Sequence, residues 1–508
     1  MSQIRADRLT FCYEGSAEPV FEDASFILDT DWKLGFIGRN GKGKTTFLRL
    51  LTGELKGQGT LTMPVPAAYF PYAVTAAQAE RSAAEFADEL REGCEIWRVI
   101  CELTALYEDA EILYRPFGTL SFGQRTKVLL AILFSGEEEF LLIDEPTNHL
   151  DAQARENVRQ YLSAKKGFIL VSHDRDLLDA CTDHILVLNR RTIMVQSGNF
   201  SCWQENQQRR DQFAEAENEK HRKEIRRLRQ AARRTADWAE KSERSKIGFD
   251  PVKETDRCIS TRSYIGAKTK KMQSRVKNTE RRIERELAEK EGLLQDIEET
   301  RALKMQPLKH HKQTLVTLRD CIMQYAGAEA PVCSGMTFSI RQGERIALHG
   351  ANGCGKSTLM RVILQRAGIL PPEEMLTVGG ICETASGLIV SYVPQDASDL
   401  HGSIPAFCAE RGLDRSMFCT VLRQLDLSRA QLAKDIGEYS AGQKKKVLLA
   451  ASLLTPAHLY IWDEPLNFID IFSRMQIEAV LEEYRPAMLF AEHDVRFREK
   501  IATGEISF

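Results

Sequence analysis

Gly38-Arg39-Asn40-Gly41-Lys42-Gly43-Lys44-Thr45 and Gly350-Ala351-Asn352-Gly353-Cys354-Gly355-Lys356-Ser357 share one pattern, G-x-x-x-x-G-K-[ST]. In such a loop the glycines let backbone N–H groups converge on phosphate oxygens, and the helix that follows adds the positive end of its dipole. The pattern assigns nucleotide contacts to Gly38, Asn40, Gly41, Gly43, Lys44, Thr45 and Thr46 in one copy. In the other it assigns them to Gly350, Asn352, Gly353, Gly355, Lys356, Ser357 and Thr358. Lys44 and Lys356 are expected to reach the β- and γ-phosphates, and Thr45 and Ser357 to hold Mg2+. Two such loops predict an α/β chain with two tandem phosphate-loop domains.

The downstream sequence repeats as well. Phe140-Leu141-Leu142-Ile143-Asp144-Glu145 and Leu459-Tyr460-Ile461-Trp462-Asp463-Glu464 each run four apolar residues into an acidic pair. Asp144 and Asp463, at strand ends, are expected in the magnesium shell. Glu145 and Glu464 are placed to polarise an attacking water. His173 and His493 follow a second pair of short apolar strands and are expected to read the γ-phosphate. Strands are predicted at Phe168-Ile169-Leu170-Val171 and Leu459-Tyr460-Ile461-Trp462, since both are short, apolar and followed by polar residues. The distance from Ser121 to Asp144 equals that from Ser440 to Asp463, so the same helix-then-strand unit is expected twice.

At 508 residues the chain is too long for a single core. Three regions are expected: residues 1–203, a middle segment 204–303, and residues 304–508. No apolar run reaches the ~18 residues of a membrane span. Met1 to Asp7 lacks the basic and apolar regions of a secretory signal. Twelve cysteines without a C-x-x-C pair argue against a zinc site or disulfide framework and for the cytoplasm. The net charge of −3 hides an asymmetry: residues 220–282 hold 21 Lys/Arg against 8 Asp/Glu, a local +13, which leaves −16 for the rest. An acidic body with a basic projection suits a polyanionic partner.

That projection reads as helix. Residues 204–240 contain no Pro or Gly and are rich in Glu, Lys, Arg, Gln and Ala. Ile225, Leu228, Ala232, Thr235 and Ala239 recur at spacings of three and four. A second helical run covers about 267–299, with a seam at Val276, Ile283, Leu287, Leu294 and Ile297. An antiparallel hairpin is expected, with its tip at about 241–266 and a first arm reaching roughly 54 Å at about 1.5 Å per residue. Lys246, Ile247, Phe249 and Arg257 are the candidate tip contacts.

Leu120-Ser121-Phe122-Gly123-Gln124 and Tyr439-Ser440-Ala441-Gly442-Gln443 resemble the signature motif of ATP-binding-cassette (ABC) ATPases. The resemblance implies that the signature of one module caps ATP held by the other, here within one chain. Ser121, Gly123 and Gln124 would close on ATP at Lys356, and Ser440, Gly442 and Gln443 on ATP at Lys44. Tyr13 and Tyr325 stand where the family stacks an aromatic on adenine. The order module–linker–module, with Pro146-Thr147-Asn148-His149-Leu150-Asp151 and Ser197-Gly198-Asn199-Phe200-Ser201, resembles the ABC-F branch. Further stretches resemble its antibiotic-resistance members.

That resemblance implies a monomer with an intramolecular ATP sandwich. Its partners would be the bacterial 70S ribosome, through 23S rRNA at the E site, and the P-site tRNA. The linker would extend toward the peptidyl-transferase centre and displace lincosamides, streptogramin A or pleuromutilins, and ATP hydrolysis would release the protein. A general translation factor on the same fold is the alternative. An exporter's energising subunit and a DNA-repair ATPase are weaker readings, the first for want of a membrane segment, the second for the shortness of the spacer.

The two modules differ at one place that matters. The family expects a glutamine at a strand end before the signature. Tyr392-Val393-Pro394-Gln395 supplies it, with Gln395 a magnesium ligand, but Tyr69-Phe70-Pro71-Tyr72 puts tyrosine there. Unequal sites are therefore expected, with slower turnover at Lys44.

Overall fold

The computed structural model describes residues 2–13, 19–136, 139–148, 150, 152–188, 193–244, 282, 303–327, 330–351, 353–372 and 376–508. Its contacts form two compact units, Met1–Trp203 with Thr300–Phe508, and Gln204–Glu299. The first unit holds both phosphate-loop modules.

Each module is built on a mostly parallel sheet. In the first the strand order is Ala67–Phe70, Phe140–Asp144, Phe168–Val171, Lys33–Gly38, His184–Leu188, Ile193–Ser197, the last antiparallel. In the second it is Val390–Val393, Leu459–Asp463, Met488–Ala491, Arg345–His349, Gly504–Ser507, parallel throughout. Both strands predicted from sequence are present. Phe168–Val171 and Leu459–Asp463 are buried along their whole length, as strands covered on both faces must be. A separate three-stranded antiparallel sheet flanks each module, with the central strands Gln3–Phe11 and Thr314–Tyr325.

The main sheet divides each module into two apolar cores. On one face of the first module Phe36, Phe47 and Leu48 pack with the antiparallel sheet through Ile4, Phe21 and Leu28. On the other face the helix Phe122–Phe134 packs its Val128, Leu130 and Ile132 with Phe168 and Leu170. The second module repeats the division. The phosphate loop leaves the carboxyl end of a central strand in both, where parallel sheets place ligand sites.

The modules are joined by packing and by charge. Ile471 of the second module is buried in the first module's core, with Phe472 and Met475 against it. Arg175 forms a two-pronged pair with Glu478, 3.2 Å from Nη1 to Oε2 and 2.5 Å from Nη2 to Oε1, and both side chains are at most 5% exposed. Arg474 donates to the carbonyl of His173 at 3.1 Å and to Asp494 at 3.2 Å. Arg496 pairs with Asp176 at 2.5 Å and with Asp179.

The long helix runs Phe200–Arg244, starting before and ending after the span expected from composition. Its start is set by tertiary contacts. The Asn199 side chain accepts from the Cys202 N–H at 3.1 Å, and Phe200 and Trp203 are buried in the first module's core. Ile225 of the expected seam is buried. Arg282 is helical, and the tip residues Lys246, Ile247, Phe249 and Arg257 lie outside the described residues, as does the remainder of the second arm.

Removing one partner of a buried ion pair strands the other, at about 3 kcal/mol or more. Glu478→Ala is expected to lower unfolding stability by about that amount, and Glu482→Ala, on the exposed side of the same helix, by under about 0.5 kcal/mol. Urea unfolding followed by tryptophan fluorescence measures both. Equal effects would mean that the pair does not tie the modules.

Candidate nucleotide-binding sites

Gly43 and Gly355 cap their helices with φ of 105° and 106°, in the left-handed region. Space demands glycine as well. A Cβ on Gly43 would lie 2.3 Å from Val20 Cγ1, and one on Gly355 2.5 Å from Val332 Cγ1. Lys44 Nζ donates to the carbonyl of Gly38 at 2.7 Å and to Asn40 Oδ1 at 3.1 Å. Lys356 Nζ donates to the carbonyls of Gly350 at 2.9 Å and Ala351 at 2.8 Å. Burial pushes the Lys44 ammonium below its usual range, against the attraction of Asp470, Glu145 and Asp144. Tyr13 shares a hydrogen bond with Thr46 at 2.8 Å, and Tyr325 with Thr358 at 3.3 Å, so both tyrosines stand beside their loops. Asn352, His149 and Asp151 lie outside the described residues.

The strand-end acids meet the loops. Thr45 Oγ1 lies 3.4 Å from Asp144 Oδ2, and Ser357 hydrogen-bonds to Asp463. Asp463 is 2% exposed, and its Oδ1 has no hydrogen-bond partner among the described residues. A buried carboxylate oxygen without a partner, beside a hydroxyl and the Gln395 carboxamide, is an oxygen-rich donor set that fits a hard divalent cation. Glu145 and Glu464, the next residues, have φ of 52° and 44°. Both modules thus hold a non-glycine residue in the left-handed region at the end of this strand.

The two glutamates nevertheless differ. Glu464 accepts from Asn467 Nδ2 at 2.7 Å, lies 3.5 Å from His493 Nε2, and takes a hydrogen bond from Gln395. Burial pulls its pKa upward, but these partners outweigh it and hold the carboxyl at about 2. Glu145 is pushed up to about 8, first by burial and then by the Asp144 charge. His173 Nε2 lies 3.3 Å from Glu145 Oε1, yet that oxygen has no aligned donor among the described residues. Burial, with Lys44 and Arg474 nearby, keeps the His173 imidazole neutral.

Tyr72 does not reach the acids. It packs against the first module's core and hydrogen-bonds with Arg91. The hydroxyl that does reach Asp144 Oδ2, at 3.1 Å, belongs to Tyr69. The second module has a residue that the sequence reading missed. Lys445 is 2% exposed and donates to the carbonyls of Pro394 at 2.8 Å, Gln395 at 3.0 Å and Asp463 at 3.3 Å. It ties the end of the Gln395 strand to the end of the Asp463 strand. Its counterpart in the first module is Thr126.

Ser121 and Ser440 cap the helices Phe122–Phe134 and Ala441–Leu454 in reciprocal capping boxes with Gln124 and Gln443. Each signature thus has a structural role in its own module. The structure also brings parts of one module to the loop of the other. A Cβ on Gly442 would lie 2.5 Å from the carbonyl of Phe468, and that carbonyl accepts from Asn40 Nδ2 at 2.8 Å. Gly123 backs onto Leu150. Leu150 and Arg155 of the first module wall a cavity of about 410 Å³ whose other lining residues include Lys356, Ser357, Gln395, Glu464 and His493. Arg155 was not singled out in the sequence, and Leu150 and Asn467 stood there only inside longer stretches that carry the family resemblance. The signal available was their equal offset from the strand-end aspartate in each module, with Asn148, Ile469 and Arg474 as counterparts.

The family model described as ABC transporter matches residues 21–148 and 333–467. A ribosome protection protein of Bacillus subtilis, VmlR, is 28% identical over 97% of this chain and 85% of its own length. ABC transporter F family member 2 of Arabidopsis thaliana is 23% identical over 99% of this chain and 76% of its own. The archaeal ribosome recycling factor aABCE1, solved in complex with the ribosomal stalk protein aP1, superposes with a TM-score of 0.58 at 19% identity, covering 98% of this chain and 87% of that one. No helix among the described residues is long and apolar enough to cross a membrane.

Gly353 has φ of 81° with open space around its Cβ position, so Gly353→Ala meets backbone strain alone, about 1 kcal/mol. Gly355→Ala adds the Val332 clash and is expected to lower stability by about 2 kcal/mol or more. Thermal unfolding of the two variants without nucleotide gives the comparison. A smaller loss in Gly355→Ala than in Gly353→Ala would contradict the assigned loop geometry.

Proposed function

We propose, for a chain that belongs to the ABC transporter family and hydrolyses ATP through its two cassettes, that ATP clamps the modules together and that clamping presents the basic linker to ribosomal RNA. The observation that carries this reading is the cavity at Lys356, because its wall is completed by Leu150 and Arg155 from the other module. A nucleotide seated there touches both halves of the protein. The contact of Asn40 with Phe468, backed by Gly442, supports the same arrangement at Lys44.

Within that frame Lys44 and Lys356 bind the phosphate chain, with Gly38, Gly41, Gly43, Gly350, Gly353 and Gly355 giving the backbone access to it. Tyr13 and Tyr325 flank the base. Ser121, Gly123 and Gln124, with Ser440, Gly442 and Gln443, close from the opposite module. Mg2+, held by Thr45 and Asp144 or by Ser357, Asp463 and Gln395, supplies charge neutralisation on the phosphates. Glu464 orients and polarises the attacking water, and His493 fixes the glutamate that does so. Glu145 and His173 are the first-module equivalents.

The partner is the ribosome. Two features support this: the +13 charge of residues 220–282, and the names of the relatives, a ribosome protection protein and a member of the F branch. The finer reading is entry at the E site of the bacterial 70S particle beside a P-site tRNA. The linker then extends along 23S rRNA toward the peptidyl-transferase centre and dislodges a lincosamide, streptogramin A or pleuromutilin, in the cytoplasm.

A Glu145→Gln, Glu464→Gln double variant with ATP is expected to co-sediment with bacterial 70S ribosomes. Its affinity should fall at least about tenfold between 50 and 200 mM salt, since counterion release drives polyanion binding. Failure to sediment would sink the ribosome reading. If it sediments but confers no drug tolerance on cells, a general translation factor is the better description.

The unequal partners of the two glutamates yield a separate expectation. Glu464→Gln alone should lower ATP hydrolysis by about tenfold or more, and Glu145→Gln alone by about twofold or less. Equal losses in a steady-state phosphate-release assay would show that the two sites turn over alike.

A further inference from the structure

Arg155 and Arg474 occupy the same place in the repeat, eleven residues after Asp144 and Asp463. Both are anchored alike: Arg155 Nε donates to the carbonyl of Leu150 at 3.0 Å, and Arg474 Nε to that of Ile469 at 2.9 Å. Beyond the anchor they diverge. Arg474 commits the rest of its fork to protein. Nη1 donates to His173 O and Asp494, Nη2 donates to the carbonyl of Leu466 at 2.9 Å, and the residue is 8% exposed. Arg155 is less buried, and its Nη1 makes a long ion pair, 3.9 Å, with Oδ2 of Asp174, the counterpart of Asp494, without hydrogen-bond contact. The other oxygen, Asp174 Oδ1, caps the helix Arg175–Cys181 by accepting from the Asp176 and Leu177 N–H groups.

The Arg155 side chain lines the cavity that holds Lys356, Ser357, Glu464 and His493, all from the other module. Arg155 and Lys356 share the cavity with the Glu464 carboxylate, and a terminal phosphate would add an anion that both cations attract. The planar fork suits two oxygens of a terminal phosphate, which a lysine would meet only as a point charge.

We propose that Arg155 reaches across the module gap to the terminal phosphate of the nucleotide at Lys356, and that Arg474, spent on structural contacts, makes no such contact at Lys44. The assignment rests on the reading that nucleotide lies between the modules. It makes the Lys356 site the one that distinguishes ATP from ADP by a contact from the opposite half, and so couples loss of the terminal phosphate to loosening of the clamp.

The test isolates each site in single-site backgrounds, Lys44→Ala and Lys356→Ala, and titrates ATP and ADP by equilibrium binding without ribosomes. In the Lys44→Ala background Arg155→Gln is expected to weaken ATP about tenfold and leave ADP unchanged, the size of one charge-assisted contact. Arg155→Lys should recover part of the loss. In the Lys356→Ala background neither substitution should alter either affinity. Equal weakening of ATP and ADP, which a merely structural arginine would give, overturns the assignment, and so does an unchanged ATP affinity.

Ser121→Glu, a carboxylate placed at the same gap, tests the underlying arrangement separately. If it too leaves ATP binding at Lys356 unchanged, the nucleotide does not lie between the modules. If it weakens ATP while Arg155→Gln does not, only the arginine assignment falls.

Discussion

The contact between Arg175 and Glu478 makes two repeated modules one body. Its geometry is the two-pronged match of a guanidinium to a carboxylate, buried at both ends. Neither charge could be buried alone. Asp494, 3.6 Å from Arg175, and Lys500, 3.4 Å from Glu478, complete the balance. Repeat symmetry would call for a second such pair across the other half of the interface. The residues there are Val495 and Arg159, which cannot form it. Arg159 pairs instead with Glu156 on its own helix. The latch is therefore one-sided, and a duplicated fold becomes a polar object with one tied side.

That one-sidedness runs through both nucleotide sites. On the tied side, contacts with the other module occupy the groups of the site itself. Asn40 of the phosphate loop is spent on the Phe468 carbonyl, His173 lends its carbonyl to Arg474, and Arg39 pairs with Asp426 at 3.3 Å. On the other side the groups are arranged within the module. Lys445 fixes the strand ends, and Asn467 holds Glu464, to which Gln395 also bonds. Two sites with near-identical motifs thus differ in what their strand-end glutamates touch. The cause is the set of residues around each motif, not the motif itself.

This divides what was legible in the sequence from what was not. Phosphate loops, strand-end acids and capping serines are local patterns, since their function requires fixed residue types at fixed spacing on one strand–turn–helix unit. The strands at 168–171 and 459–463 followed from the same logic. Tyr72 could be placed at the glutamine position, but its direction depends on Arg91, a residue of another element that donates to the carbonyl of Leu133. Arg155 and Arg474 sit at equal offsets, and only partners from the opposite module separate them. The start of the long helix at Phe200 was missed for the same reason, because burial of Phe200 and Trp203 in a distant core sets it.

The root of that helix packs within the body formed by the two modules. Arg39, inside the first phosphate loop, lies 5.8 Å from the ring of Phe472. Phe472 in turn meets Trp203 edge to face at 5.9 Å. Phe472 is the second residue of the helix Ile471–Tyr484, which also carries Arg474 and Glu478. One short helix therefore bears the latch, the strut under His173 and the ring on which the linker root packs. Close-packed aromatic contacts of this kind do not deform continuously, so a displacement of the phosphate loop or of this helix has to be taken up at Trp203. Trp203 itself lies in the first turn of the helix Phe200–Arg244, so the phosphate loop, the helix Ile471–Tyr484 and the start of the long helix are in one chain of ring contacts.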